Sequence, residues 1–161
     1  MNRNNLKAAL NLLAPQAAEA AKQRLDQAQA NATGRLRGSI RGGVDETQDT
    51  IRLFLTAEDY YSVINDGRRA GARKPPPDKI MNWIKVKGIS SNRQDVKNIK
   101  QLTFLISRAI ARNGTIKRFG YKGAGLTQYI LQSLGSKLLN DVKKAYQKDI
   151  EQAIKDGRSK G

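Results

Sequence analysis

Apolar residues recur at steps of three and four from residue 4 to residue 31. Leu6, Leu10, Leu13, Ala17, Ala20 or Ala21, Leu25 and Ala28 form the stripe, and Gln16, Glu19, Lys22, Gln23, Asp26 and Gln27 lie opposite. That period predicts an amphipathic helix. Its stripe is mostly alanine, which suits close approach to another helix. Pro15 lacks a donor and clashes with the preceding turn, so a kink is expected there, or a fresh helix with Pro15 in its first turn. Gly34 reads as the left-handed residue that ends the helix. Thr33 reads as the cap of a short turn after it.

The period then changes to two. Ile51, Leu53 and Leu55 share one face, and residues 39–57 read as a β-hairpin. Asp45 to Asp49 form its tip, and Gly42-Gly43 suggests a bulge or bend in the first arm. Tyr60, Tyr61, Val63 and Ile64 fit a short helix or turn closed by Asn65-Asp66-Gly67. A basic loop through Arg68, Arg69, Arg73 and Lys74 stops at Pro75-Pro76-Pro77, which opens a helix over about 77–87. That helix is expected to bury Ile80, Trp83 and Ile84 and to end at Gly88.

A second central helix over about 97–112 carries Ile99, Leu102, Thr103, Ile106, Ala109 and Ile110, with Gly114 as terminator. An irregular basic loop, 114–125, leads to a last helix over about 126–156. Leu126, Ile130, Leu134, Leu138, Val142, Ala145 and Tyr146 mark its apolar face, and 157–161 reads as a frayed tail. The expected fold class is α+β: a kinked N-terminal helix, a small antiparallel β-sheet built on a hairpin, two central helices and a long C-terminal helix. Residues 1–125 read as one domain. Residues 126–161 read as a helix packing on it or on a neighbouring subunit.

Composition narrows the chemistry. The 161 residues hold 30 Lys and Arg against 14 Asp and Glu, a formal charge of +16, with no histidine and no cysteine. Missing cysteine excludes disulfides, thiolate metal sites and a cysteine nucleophile. Missing histidine removes the commonest general base and transition-metal ligand. No cofactor and no enzymatic activity are expected. No apolar run approaches the ~18 residues of a membrane span, and no signal-peptide core opens the chain, so a soluble protein made in a reducing compartment is expected.

The basic excess calls for a polyanionic neighbour. Residues 75–125 hold eleven basic and two acidic groups, more than half of it. Lys97, Lys100, Arg108, Arg112, Lys117, Arg118 and Lys122 are the candidates for a surface facing DNA or an acidic partner. On a helix they only partly share a face, so they read as a broad field and not as a base-reading head.

Other constellations are weaker. Asp45, Glu46 and Asp49, and the pair Glu58-Asp59, can in principle hold a divalent cation or perform acid–base work. No spaced acid with a following lysine completes such a site, and solvated acids are the favoured reading. Gly120-x-x-Gly123-x-Gly125 precedes a helix but matches no phosphate-loop spacing, so a loop role is favoured. Trp83 sits in an apolar stripe and reads as core.

Four pieces, in order, resemble the neck and tail-completion proteins of tailed bacteriophages. They are Thr33-Gly34-Arg35-Leu36-Arg37-Gly38-Ser39-Ile40 after an Ala/Gln-rich helix; Tyr60-Tyr61-Ser62-Val63-Ile64-Asn65-Asp66-Gly67-Arg68; the stretch from Pro76-Pro77 through Ile80, Trp83 and Lys87-Gly88-Ile89; and the stretch from Phe104 through Ile106, Arg108 and Ile110 to Gly114. The likeness covers about residues 15–125. It implies a structural virion protein forming an oligomeric ring at the head–tail interface, assembled in the host cytoplasm. Such a ring joins portal or adaptor to tail and surrounds the DNA passage. The implied partners are further copies of the chain, portal, adaptor and tail proteins, and genomic DNA touched without sequence preference. On this reading Arg68, Arg69, Arg73, Lys74 and Tyr61 are contacts to a neighbouring subunit or adjacent ring. The alternative is a free basic DNA-binding protein of regulatory or architectural type. A metal nuclease using Glu58 and Asp59 is a third, less favoured class.

Overall fold

The protein is described here by a computed structural model covering residues 3–90, 98–115 and 122–158. Among these residues six helices and one two-stranded antiparallel sheet form an α+β fold. The elements are α1 (Asn4–Gln27), α2 (Arg35–Ser39), β1 (Arg41–Glu46), β2 (Ile51–Thr56), α3 (Tyr61–Asp66), α4 (Pro77–Val86), α5 (Ile99–Asn113) and α6 (Leu126–Arg158).

The chain divides into two compact units. The first joins Met1–Arg24, Ser39–Glu58 and Leu126–Gly161; the second joins Leu25–Gly38 and Asp59–Gly125.

In the first unit, α1 runs through Pro15 as one helix, and no fresh helix starts there. Its alanine stripe is the core: Leu10, Leu13, Ala14, Ala17, Ala18, Ala20 and Ala21 are buried, together with Ile40, Leu126 and Ala145. The small side chains admit the hairpin at close range. A β-carbon at Gly42 would lie 2.0 Å from the Ala14 carbonyl oxygen, so only glycine fits. The bulge expected at Gly42-Gly43 is absent, because the ladder is regular from Arg41↔Thr56 to Glu46↔Ile51. Gly43 faces Phe54 across that ladder, and the Phe54 ring lies over the space a side chain would take. Thr47 and Thr50 close the tip. The Thr47 N–H donates to the Thr50 carbonyl at 2.8 Å, and their hydroxyls meet at 2.8 Å.

Helix α6, at 33 residues, is about 50 Å long. Three polar contacts align it antiparallel to α1: Asp149 with Asn5 and Leu6, Lys137 with Gln16, and the Arg24 guanidinium over the Tyr129 ring. Asp149 is 3% exposed. Its carboxylate accepts the Asn5 N–H at 3.0 Å, the Asn5 side-chain amide at 2.8 Å and the Leu6 N–H at 2.9 Å. The first N–H groups of a helix have no partner within it, and here a residue from α6 supplies the cap. Burial pushes the Asp149 carboxyl up, but the bonds from Leu6 and Asn5 outweigh it and hold it below its ordinary value.

In the second unit, Leu25, Leu36, Ile84, Ile110 and Ala124 are buried. Helix α1 stops at Gln27, four residues short of the expected end. The closure uses Gln29 at φ 49°, where glycine is usual. The Ala30 N–H returns to the Leu25 carbonyl and the Gln29 N–H to Asp26. Gly34, expected as terminator, instead precedes α2, and its N–H donates to the Asn31 side chain at 2.9 Å. Asp26 ties the turn together through Arg37 at 2.8 Å and Asn31.

Helix α4 packs on α5 and buries Ile84. Trp83, read from the sequence as core, is 37% exposed. One residue along a helix turns the side chain by about 100°, so burying Ile84 rotates its neighbour outward. The Gly88 and Ile89 N–H groups return to Lys85 and Ile84, closing α4 where the sequence placed its end.

Candidate functional site

Charge separates the two units. The first holds 13 basic and nine acidic residues, +4; the second holds 17 basic and five acidic, +12. Helix α5 is central to the second. Asn98 caps it, its side chain accepting the Gln101 N–H at 2.9 Å, and Gly114 ends it at φ 66°. The helix buries Thr103, Ser107 and Ile110. This face is turned toward Thr103 and Ser107 relative to the expected stripe, since Ile99, Leu102, Ile106 and Ala109 are only half-buried.

That rotation decides what α5 shows to solvent. Lys100, Phe104, Arg108 and Arg112 are all exposed. They stand four residues apart, so they form one ridge along the helix. Phe104 is 55% exposed between two cations of its own helix. The Lys74 ammonium approaches its ring to 5.3 Å from the centroid, a cation–π distance. Lys100, Gln101, Phe104 and Leu105 line an open depression of about 440 Å³. Among the described residues no carboxylate lies within ion-pair distance of Lys100, Arg108, Arg112 or exposed Lys122. Lys97, Lys117 and Arg118 lie outside the described residues.

Sequence reasoning missed Phe104 and Leu105 as surface residues. The signal was present in the spacing, with Lys100 four residues before Phe104 and Arg108 four after.

The basic loop after α3 is held by α5 and the segment behind it. The Arg68 N–H donates to Thr115 Oγ1 at 2.7 Å, and the Thr115 N–H returns to the Arg68 carbonyl at 3.0 Å. The Gly71 N–H donates to the Ala111 carbonyl at 2.8 Å. Arg68 is half-buried and its guanidinium donates to the Arg73 carbonyl. Gly114 admits the loop, since a β-carbon there would lie 2.4 Å from the Arg68 carbonyl oxygen. Arg69, Arg73 and Lys74 are exposed, and Tyr61 is half-buried at the start of α3.

Of the acid clusters, Glu46 is engaged in ion pairs. Glu46 accepts Lys7 at 2.8 Å and lies 3.9 Å from Arg3. The Lys7 hydrogen bond holds the Glu46 carboxyl below its ordinary value against the opposing effect of burial. Among the described residues no group of three or more acids, histidines or cysteines is placed to hold a metal ion. Gly120 lies outside the described residues, and the Gly123–Gly125 segment is bonded to the end of α3: the Ala124 and Gly125 N–H groups donate to the Ile64 and Asn65 carbonyls at 2.7 and 3.1 Å. Those amides are spent on the fold and are not turned toward a phosphate. No helix among the described residues is long and apolar enough to cross a membrane.

Comparison with protein-family models, curated proteins and solved structures finds no match. The functional reading therefore rests on the residues and their arrangement.

Proposed function

We propose that this chain is a structural virion protein of a tailed bacteriophage. It forms an oligomeric ring at the head–tail interface, joins portal or adaptor to tail, and surrounds the DNA passage. The observation that carries the reading is the concentration of +12 in one compact unit. Its α5 ridge holds Lys100, Arg108 and Arg112 without a carboxylate partner among the described residues.

A ring multiplies such a field by its copy number. Phosphate attraction without base readout suits a passage, because DNA must slide through it. The same cations suit acidic faces of neighbouring virion proteins. The order of the resembling segments in the sequence supports the same reading. Catalysis has no part in it.

Electron microscopy of the protein mixed with the portal of its phage tests the proposal, together with antibody labelling of mature particles. Rings stacked on the portal and label at the head–tail junction are expected. Unlabelled particles and no ring on the portal would overturn it. A free DNA-binding protein would instead prefer some duplex by ~10³-fold or more over unrelated DNA.

A further inference from the structure

The proposed function leaves the long outer face of α6 without a use. Leu131, Leu139, Tyr146 and Ile154 are 67%, 69%, 47% and 50% exposed, with Ile150 at 38%. At 3.6 residues per turn these positions fall on one side of the helix. Lys143, at the edge of that side, is the one exposed charge within it. From Lys137 onward the other sides of α6 are densely charged, so over that length the stripe is a defined apolar surface.

Its spacing has a symmetry. The steps from Leu131 to Leu139, Tyr146 and Ile154 are eight, seven and eight residues, the same in either direction. The stripe is centred between Val142 and Lys143. A second α6 laid against it in the opposite sense puts Leu131 against Ile154 of the second copy and Leu139 against Tyr146. The same register sets Ile150 against Gly135, where a β-carbon would meet nothing within 4 Å. A large side chain thus faces an open notch. A contact in which residue i meets residue j and j meets i is what a two-fold pair requires.

We propose that two copies of this chain pair through antiparallel α6 helices about a two-fold axis at residues 142–143. Charge permits a second copy as the occupant, and the symmetric spacing selects it. Each chain carries +16, so self-association needs a surface with little charge. The stripe belongs to the unit that carries only +4. Lys143 lies beside Val142 of the second copy, where its stem packs and its ammonium reaches solvent.

The stripe is about 35 Å long and about 10 Å wide, from helix rise and diameter. That area, about 350 Å², is within the range of the largest apolar patch on a typical monomer, which is often functional. It is below the ~800 Å² per partner of a standard interface, so a weak dimer is expected, in equilibrium with monomer at tens of micromolar. A two-fold pair closes on itself and adds no third copy. It is therefore distinct from the contacts of a ring, and it stands or falls independently of the proposed function.

Because the chain has no cysteine, single cysteines report its geometry directly. Leu131→Cys and Ile154→Cys should each fail to cross-link alone on mild oxidation, and should form a mixed disulfide dimer when combined. Val142→Cys should cross-link with itself. Sedimentation equilibrium of the full chain should show a dimer that Leu139→Glu weakens at least tenfold. Leu139→Glu with Tyr146→Lys should restore it, because each new acid then faces a new base. Self-cross-linking of Leu131→Cys would show parallel helices and overturn the proposal. A wild-type chain that stays monomeric at several hundred micromolar would overturn it too, as would a dimer unaffected by Leu139→Glu.

Discussion

Replacing Asp149 should loosen the start of α1, 144 residues away in sequence. Its two oxygens accept three hydrogen bonds from Asn5 and Leu6. An ordinary N-cap contributes about 0.5–2 kcal/mol. Hydrogen bonds to a charged acceptor contribute about 1.5–3 kcal/mol each. The donors are only part-buried, so water replaces some of what is lost. For Asp149→Ala, about 2–3 kcal/mol is therefore expected, above a cap and well below the sum of three charged bonds. At about 2–4 °C per kcal/mol for a chain of this length, the melting temperature should fall by roughly 5–10 °C. Asp149→Asn should cost less, since one oxygen remains to accept, while its amide meets the Leu6 N–H donor to donor.

The acid dependence follows from the depressed carboxyl. A group held below its ordinary value stabilises the fold above the unfolded pKa of about 3.9, and that contribution is lost as pH falls through the folded value. The stability gap between wild type and Asp149→Asn should thus be flat from pH 7 to pH 5 and shrink below pH 4. Urea denaturation followed by circular dichroism measures the gap. Hydrogen exchange at the Asn5 and Leu6 amides reads the cap locally, even if the two units unfold separately. A loss below 0.5 kcal/mol for Asp149→Ala, outside the range for a cap, would refute the reasoning. So would a gap that widens in acid.

Gly42→Ala should destabilise by about 3 kcal/mol or more, because its β-carbon meets the Ala14 backbone. Gly38→Ala, in the short helix α2 with nothing within 4 Å, should be neutral or slightly stabilising; thermal melts of the pair compare them. Ser107 is 4% exposed and its hydroxyl has no hydrogen-bond partner among the described residues. Ser107→Ala should therefore change stability by less than about 1 kcal/mol, with gain more natural than loss, and a larger loss in urea would show a hidden partner. If the α5 ridge meets duplex phosphates, changing Lys100, Arg108 and Arg112 together to alanine should weaken binding equally on unrelated duplexes. It should also flatten the slope of log K against log salt by about 0.9 for each phosphate no longer neutralised, measured by fluorescence anisotropy.

Element order was legible because local periods encode it. Leucine and alanine at three and four predict α1, alternation at Ile51, Leu53 and Leu55 predicts β2, and Pro77 and Gly88 bracket α4. Helix ends were less legible where no glycine marks them: α1 closes on Gln29, held by the Asp26–Arg37 pair. The α5 ridge was half legible. Its cations are countable in the sequence, but their alignment with Phe104 depended on which side of α5 packs inward.

Composition and period alone determined the α+β class, the +16 charge and the exclusion of thiol and imidazole chemistry, since these need only residue identity and nearest neighbours. Tertiary structure decided how segments far apart in the chain combine. It brought residues 39–58 and α6 to α1 in one unit and left most of the charge in the other. It made Asp149 a cap and Gly42 obligatory, and it left Leu131, Leu139, Tyr146 and Ile154 uncovered. The physical reason is that burial and hydrogen bonding across the chain depend on which surfaces meet, and local spacing along the chain does not specify that meeting.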